Sequence, residues 1–463
     1  MESKEPLLEV KKLDPSLIAS IKDVAFYGMM VGCGEAYLMA YAIKHLDVAN
    51  RTVGLLSILG PALGIITQVW CANLMERKPR RRALYLAGVL VQCLAWPILA
   101  VSVWLSRDLA LWTLVACLVA YFGSGHFAAP AWNSVMGDLV PFDLRGRYFA
   151  YRNRVCIFFQ WSSAVLGGFA LEWFELSGHA RLGFFVTFMT AALARVISMY
   201  YLSQMKEPEY RPREEDSFSF RDFIRRLPHS NFGKFTVFVS LLSFSVNFSG
   251  PYFSVYLLRD LHFSYIELMG GEAMLYVGQL LWLSTWGPIA DKFGNKRILA
   301  LCGVGIILLP TLWIWSQSKF LIYSLQLLGG ILWSGFNLCV ANFLLDAVSP
   351  PKRARCVAYF NMFNSTGVLL GGFTGAWFVE HLPTSFLGWT PYSPLYWIMI
   401  LSGVMRVFVM VFCLPTFKEV RDVSPISTLG LVFRATHLKG VADLAMDRLS
   451  GYLRGGRREG EKW

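Results

Sequence analysis

Glu35 stands in Gly32-Cys-Gly-Glu-Ala-Tyr37, inside an apolar stretch that runs from about 21 to 44. It precedes Lys44 by nine positions, roughly 14 Å of helix. That depth approaches the centre of a hydrocarbon layer about 30 Å thick. Ionisable groups held there are costly, and they mark sites of binding or proton exchange. Two roles are open to this carboxyl: gaining and losing a proton, or staying neutral and hydrogen-bonded to a neighbouring helix. His126, in Gly123-Ser-Gly-His126, lies in another apolar stretch. An imidazole there can exchange a proton, bond a solute, or simply pack. Glu272 lies early in a third stretch, where an interfacial carboxylate is the alternative.

The elements that must position these groups follow from composition. Of 463 residues, 55% are hydrophobic and only 16% charged, against about 25% in soluble domains. A water-soluble chain of this length could not enclose so much apolar surface. Disorder is excluded by 35 Phe, 16 Trp and 19 Tyr. Twelve apolar stretches are long enough to span a bilayer. They lie near 21–44, 52–74, 83–105, 109–137, 149–172, 182–204, 234–258, 266–290, 298–316, 320–346, 356–380 and 392–414. None shows the alternation of a barrel strand, so the expected fold is an all-α membrane protein. The first stretch is too long for the core of a cleavable signal peptide.

With both termini on one side, that side collects 35 of the 43 Lys and Arg residues. Six lie opposite (Lys44, Arg51, Arg107, Arg181, Arg259, Lys319), and Arg195 and Arg406 fall inside spans. This bias predicts cytoplasmic termini in a cell membrane, a bacterial inner membrane being the natural setting. The net charge of +12 is then topology and attraction to lipid, not nucleic-acid binding. The nine cysteines form no Cys-x-x-Cys pair and read as packing residues; no metal or cofactor is expected.

The chain repeats itself. Asp138, Arg145, Arg147, Ala150, Tyr151 and Asn153 recur as Asp346, Arg353, Arg355, Ala358, Tyr359 and Asn361, and Leu-Gly-Gly-Phe follows each set. Arg195 with Lys206 recurs as Arg406 with Lys418. Six spans are therefore repeated as six, in parallel orientation. Between the eighth and ninth spans stands Gly287-x-x-x-Asp291-Lys292-x-Gly294-x-Lys296-Arg297; a degraded copy, Ala72-x-x-x-Glu76-Arg77-x-Pro79-x-Arg81-Arg82, stands between the second and third. On its own terms, the glycine of this pattern lets helices approach, and its carboxylate suits a helix N-terminus.

That pattern and the 6+6 arrangement resemble the major facilitator superfamily over about residues 20–415. The resemblance implies two pseudo-symmetric six-helix bundles that rock about a central cavity, and a small-molecule substrate. It implies a conformational latch at Glu76, Arg77, Asp291, Lys292 and Arg297, and Asp138 with Arg145 and Asp346 with Arg353 could act alike. It further implies that spans 1, 4, 7 and 10 line the cavity. Aligning Tyr37 with Tyr252 places Gly250 opposite Glu35, so the carboxylate has no copy in the second half. Asn247, Gly250, Pro251 and Tyr252 suggest a break in the seventh helix. Tyr37, Trp161, Trp333 and Asn337 are further candidates for the lining. Arg195 and Arg406, present in both halves, read as structural. The Gly-Pro-x-x-Gly-Gly element of the superfamily's antiporters is incomplete at Ser163-Ala-Val-Leu-Gly-Gly168, and no ATP-binding loop is present.

The expected organisation is an N-tail (1–20), a first bundle (21–204), a linker (205–233), a second bundle (234–414) and a basic C-tail (415–463). Phe220, Phe223, Ile224 and Leu227 share a helical face in the linker, as do Leu438, Val441, Ala442, Ala445 and Leu449 in the tail, which suits surface helices on lipid. The leading expectation is a monomeric secondary-active transporter, with protons and membrane lipids as partners and symport through Glu35. An uncoupled facilitator is the alternative. A transport-inactive receptor or scaffold is the reading from another class; no catalytic constellation is recognised.

Overall fold

The computed structural model describes residues 14–77, 80–141, 145–208, 220–315, 317–348, 353–383 and 391–421. Regular structure among the described residues is helical. In chain order the long elements are α1 (Pro15–His45), α2 (Asn50–Met75), α3 (Arg81–Ser102), α4 (Arg107–Leu139), α5 (Arg145–Leu176) and α6 (Ala180–Ser203). They continue as α7 (Asn231–Asp260), α8 (Tyr265–Phe293), α9 (Asn295–Trp315), α10 (Lys319–Asp346), α11 (Arg353–Phe378) and α12 (Leu395–Phe412). Among the described residues, ten helices are long and apolar enough to cross a membrane. α8 and α11, at 29 and 26 residues, have the length and fill the eighth and eleventh places.

α1 begins at Pro15, six residues before the start expected near 21. Asp14 caps it through a 2.7 Å hydrogen bond from the Ser16 amide, and Pro15 occupies the first turn. Outward faces are apolar: Leu94, Ile98 and Val101 of α3 are each more than half exposed, while Tyr85, Val89 and Trp96 are buried. Such an exposed ridge needs lipid, not water, around it.

The repeat is visible in backbone detail. α1 and α7 each end in a five-residue π turn, Tyr41–His45 and Tyr256–Asp260. Each turn is followed by a residue in the left-handed region, Asp47 (φ 44°) and His262 (φ 51°). Close helix packing recurs with its glycines moved. Gly28 and Gly32 of α1 face the Cys156 and Gln160 carbonyls of α5, while Gly367, Gly371 and Gly375 of α11 face the Ser240, Phe244 and Phe248 carbonyls of α7. Backbones meet this closely only where no Cβ intervenes.

α7 is α-helical through Pro251, so the break expected at Asn247–Tyr252 does not occur. Proline lacks only one donor, and the neighbouring turns keep their ladder. The discontinuity falls in α1 instead. Regular helix stops at Cys33, Gly34 turns, and Glu35–Tyr37 form a 3₁₀ turn. A Cβ on Gly34 would meet the Trp96 ring and Ala191, so only glycine fits there.

Contacts divide the chain into two compact units. The first comprises Met1–Ser217, Val239–Ala273 and Ala358–Arg406; the second comprises Phe218–Phe238, Met274–Val357 and Val407–Trp463. The first has a core of Leu17, Tyr85, Val89, Val135, Tyr148 and Leu202. In the second, Phe235 stacks on Phe343 at 4.1 Å with Phe417 edge-on to both. The linker contributes a short helix, Phe220–Arg226, on which Phe223 is buried and Ile224 exposed. The amphipathic stretch of the tail lies outside the described residues.

Candidate functional site

A cavity of about 560 Å³ lies within the first six helices. Its volume is that of a small-molecule site. Glu35 and His126 both line it, so two of the intramembrane groups singled out by residue type share one wall.

The turn after Gly34 carries the half-buried Glu35 toward α4, where the Tyr121 hydroxyl donates to Oε2 at 2.5 Å. Tyr121 is set by edge contacts to Trp96 at 5.1 Å and Phe122 at 5.0 Å. Its carbonyl accepts from Gln92 Nε2 at 2.9 Å, and Gln92 Oε1 accepts from Arg195 Nε at 2.8 Å. Arg195 Nη1 donates to Ser198 Oγ at 2.7 Å, and Ser198 Oγ donates to Asp23 Oδ1 at 2.7 Å. Arg152 closes the series, giving Nη2 to Asp23 Oδ2 at 3.2 Å and Nε to Ser20 Oγ at 3.1 Å. Polar groups from α1, α3, α4, α5 and α6 thus form one path from Glu35 to Asp23 through buried surroundings. Interior charges persist when paired and hydrogen-bonded, and this set supplies both conditions at Asp23.

Both guanidiniums also rest on aromatic rings, Arg152 at 4.4 Å from Trp132 and Arg195 at 5.2 Å from Tyr27. Arg195 is therefore part of the cavity wall as well as a structural tie between helices. Its counterpart Arg406 meets a serine cluster: Nη2 lies 3.4 Å from Ser249 Oγ, which itself donates to Ser402 at 3.0 Å. His126 is held by the Gln68 amide nitrogen, 3.2 Å from Nδ1.

The remaining candidates lie elsewhere. Tyr37 is fully buried, and its hydroxyl donates to the Ala164 carbonyl. Gly167 and Gly168 leave room for its ring, which is the local use of the glycine pair kept from the incomplete antiporter element. Tyr252 is buried with its hydroxyl against Gly54. Asn247 is half-buried and donates to the Ser243 carbonyl at 2.9 Å. Trp161 and Glu272 are half-buried on α5 and α8. On α10, in the second unit, Trp333 packs against Phe336 at 5.7 Å and Asn337 is exposed.

Of the loop residues, Asp138 pairs with the fully buried Arg81 at 2.5 Å. Arg81 also donates to Ser134 at 2.9 Å and to the Pro208 carbonyl at 2.8 Å. Asp346 pairs with Arg421 at 2.6 Å and accepts from Asn295 at 3.1 Å. The carboxylate at the α9 N-terminus is that of Glu419, which accepts from the Lys296 amide at 2.7 Å. Gly294 has φ 89°, a conformation that suits glycine, and Glu419 packs over it. Lys292 is exposed, and Arg297 donates back to the Phe293 carbonyl at 3.4 Å. The side chains of Glu76, Arg77, Asp291, Arg145 and Arg353 lie outside the described residues.

Residue types alone passed over Asp23, Arg152, Gln92 and Ser198. Two signals could have found the charged pair. Asp14-Pro15-Ser16 is a helix-start signature that moves α1 upstream and puts Asp23 more than two turns inside it. The repeat sets Phe238 opposite Asp23 and Phe360 opposite Arg152, so both fail the symmetry expected of scaffold residues.

Comparison with known proteins agrees with this architecture. The sequence profile of the Major Facilitator Superfamily matches residues 24–284 and 235–429. The chain is 25% identical over 151 residues to the efflux pump azaK of Aspergillus niger, covering 32% of this chain and 31% of that protein. It is 30% identical over 107 residues to a gallate transporter of Pseudomonas putida, covering 23% of each. The matches thus span less than a third of the length of these curated relatives. A variant of the nucleoside transporter NupG superposes with a TM-score of 0.66 at 14% identity, covering 87% of this chain and all of that one. A D-xylose-proton symporter gives 0.65 at 16% identity, over 88% and 99% of the two chains. With its twelve-helix order, its internal repeat and a profile match over most of its length, the chain belongs to the major facilitator superfamily.

Proposed function

We propose that this protein is a secondary-active transporter that moves a small solute across a cell membrane by alternating access, coupled to protons through Glu35. The observation that carries the coupling is the placement of Glu35, a carboxylate on a solute-sized cavity whose hydrogen bond comes from a neutral phenol. A carboxyl so held can bind and release a proton as the cavity changes its exposure. Transport itself is supported by the family and by the names of the similar proteins, which include an efflux pump, a gallate transporter and a proton symporter. Cytoplasmic termini are supported by the Lys and Arg asymmetry.

Alternating access needs contacts that can part. The α1–α2 turn meets the end of α7 through Arg259, which donates to Asn50 at 2.5 Å, to Asp47 at 3.2 Å and to the Val48 carbonyl. Nearby, Arg51 pairs with Glu380 at 3.1 Å, and Lys44 lies 4.1 Å from the centre of the Tyr265 ring. We assign these contacts to a gate at the end opposite the termini. On the other side, Asp138–Arg81 and Asp346–Arg421 are assigned to loop latches, one in each half.

The test is proton movement in vesicles holding the full-length protein. A pH gradient should drive solute accumulation in wild type, and Glu35→Gln should abolish that accumulation while sparing solute exchange. Accumulation unchanged in Glu35→Gln would overturn the coupling role.

A further inference from the structure

We propose that the cavity of the first six helices binds an organic monocation, an ammonium ion carrying an aromatic or apolar body, with Glu35 as its counter-ion. The inference rests on the transport reading, since it names the substrate class of the same cavity. Two carboxylates and two guanidiniums line that cavity, and they are unevenly shared. Both guanidiniums are committed at the Asp23 end, Arg152 directly and Arg195 through Ser198. Each has a further hydrogen bond, to Ser20 or Gln92, and each covers an aromatic ring. Glu35 lies twelve residues further along α1, about 18 Å if the rise of a regular helix held throughout. Among the described residues it makes no ion pair, and the Tyr121 hydroxyl is its hydrogen-bond donor.

The three charge classes of ligand fare differently here. An anion would meet the Glu35 charge at one end and, at the other, two guanidiniums that share the single charge of Asp23 and are each held by further hydrogen bonds. A neutral ligand would leave the Glu35 carboxylate without a counter-charge as water is displaced, so its binding would require Glu35 to take up a proton. A cation gives Glu35 a direct ion-pair partner in a setting where attraction is weakly screened. Tyr121 and Phe122 line the same cavity, and aromatic rings attract cations on their faces. That rings of this cavity take cations is visible already, in the two arginines that rest on Trp132 and Tyr27.

The experiment is equilibrium binding to the full-length protein purified in detergent, with no gradient. Three probes share one ring: benzyltrimethylammonium as the cation, benzoate as the anion and benzyl alcohol as the neutral compound. The ammonium should bind at least tenfold more tightly than either of the others. Glu35→Gln should weaken it at least tenfold, and Glu35→Asp, which keeps the charge, should weaken it less. An elution profile like wild type on size exclusion shows that both variants are folded. The proposal is overturned if benzoate or benzyl alcohol binds as tightly as the ammonium. It is also overturned if Glu35→Gln binds the ammonium like wild type, or if wild type leaves it unbound at millimolar concentration. Loss of proton-driven uptake in Glu35→Gln, alongside any of those results, would sink the cation assignment and leave the transport reading standing.

Discussion

Replacing Asp23 by Asn tests the polar path at its most constrained point. The side chain is 4% exposed, receives Arg152 at 3.2 Å, and accepts from Ser198 at 2.7 Å. Asn has nearly the same volume and keeps an acceptor for Ser198, so no cavity is created. What disappears is the negative charge that faces Arg152 directly and Arg195 through Ser198. Removing one partner of a buried pair costs about 3–5 kcal/mol, whereas an exposed pair contributes below about 1 kcal/mol. Arg152 is 16% exposed and can draw some water from the cavity, which favours the lower end, about 3 kcal/mol. For a cooperative unit of 150–250 residues that corresponds to a fall in Tm of about 6–12 °C. The assay is thermal unfolding in detergent of wild type, Asp23→Asn, Arg152→Gln and the double variant. The double variant should recover at least about 1 kcal/mol relative to the sum of the singles, because Arg152 leaves together with its partner and only Arg195 is left without its carboxylate. A fall of less than 2 °C in Asp23→Asn, or strict additivity in the cycle, would refute the reasoning.

Three further outcomes follow from particular contacts. Gly32→Ala should destabilise the protein by about 1–3 kcal/mol, since its Cβ would meet the Gln160 carbonyl and Ser163; thermal unfolding checks this, and an unchanged Tm would show that α1 and α5 can part freely. Arg259→Ala removes the bonds to Asn50, Asp47 and Val48, so a cysteine placed at Ser57 should react faster with a membrane-impermeant thiol reagent. Equal labelling rates would count against the assigned gate. Asp346→Asn weakens the tie to Arg421, and turnover at saturating solute should fall while solute affinity stays within about twofold. A change in affinity alone would argue against a latch.

Much of the fold was legible because membrane insertion imposes length and polarity on each helix separately. Ten of the twelve expected stretches are helices long and apolar enough to span, and the other two are helices of sufficient length. Glu35 and His126 were legible for the same reason: an ionisable residue in an apolar stretch stands out whatever surrounds it. Asp23 did not stand out, since a helix start near 21 would make it interfacial, and only the capped start at Pro15 puts it inside. Pro251, where one donor is missing, predicts a break in the path of the chain, yet the break occurs at Gly34, where a side chain would meet Trp96 and Ala191. Local composition marks where a helix can break; neighbouring helices select where it does.

The sequence by itself determined the order of the helices, the repeat, the charge bias and the place of Glu35 within an apolar stretch, all properties of single segments or of segments compared with each other. Only the tertiary structure decided who meets whom. Asp138 takes Arg81, Asp346 takes Arg421, and the α9 N-terminus takes Glu419, partners 57 or more positions away in the chain. The same holds inside the membrane, where Asp23 absorbs two arginines from α5 and α6 and Glu35 is left to a phenol. A buried charge is stabilised by groups within a few ångströms in space, and sequence spacing fixes such distances only along one helix.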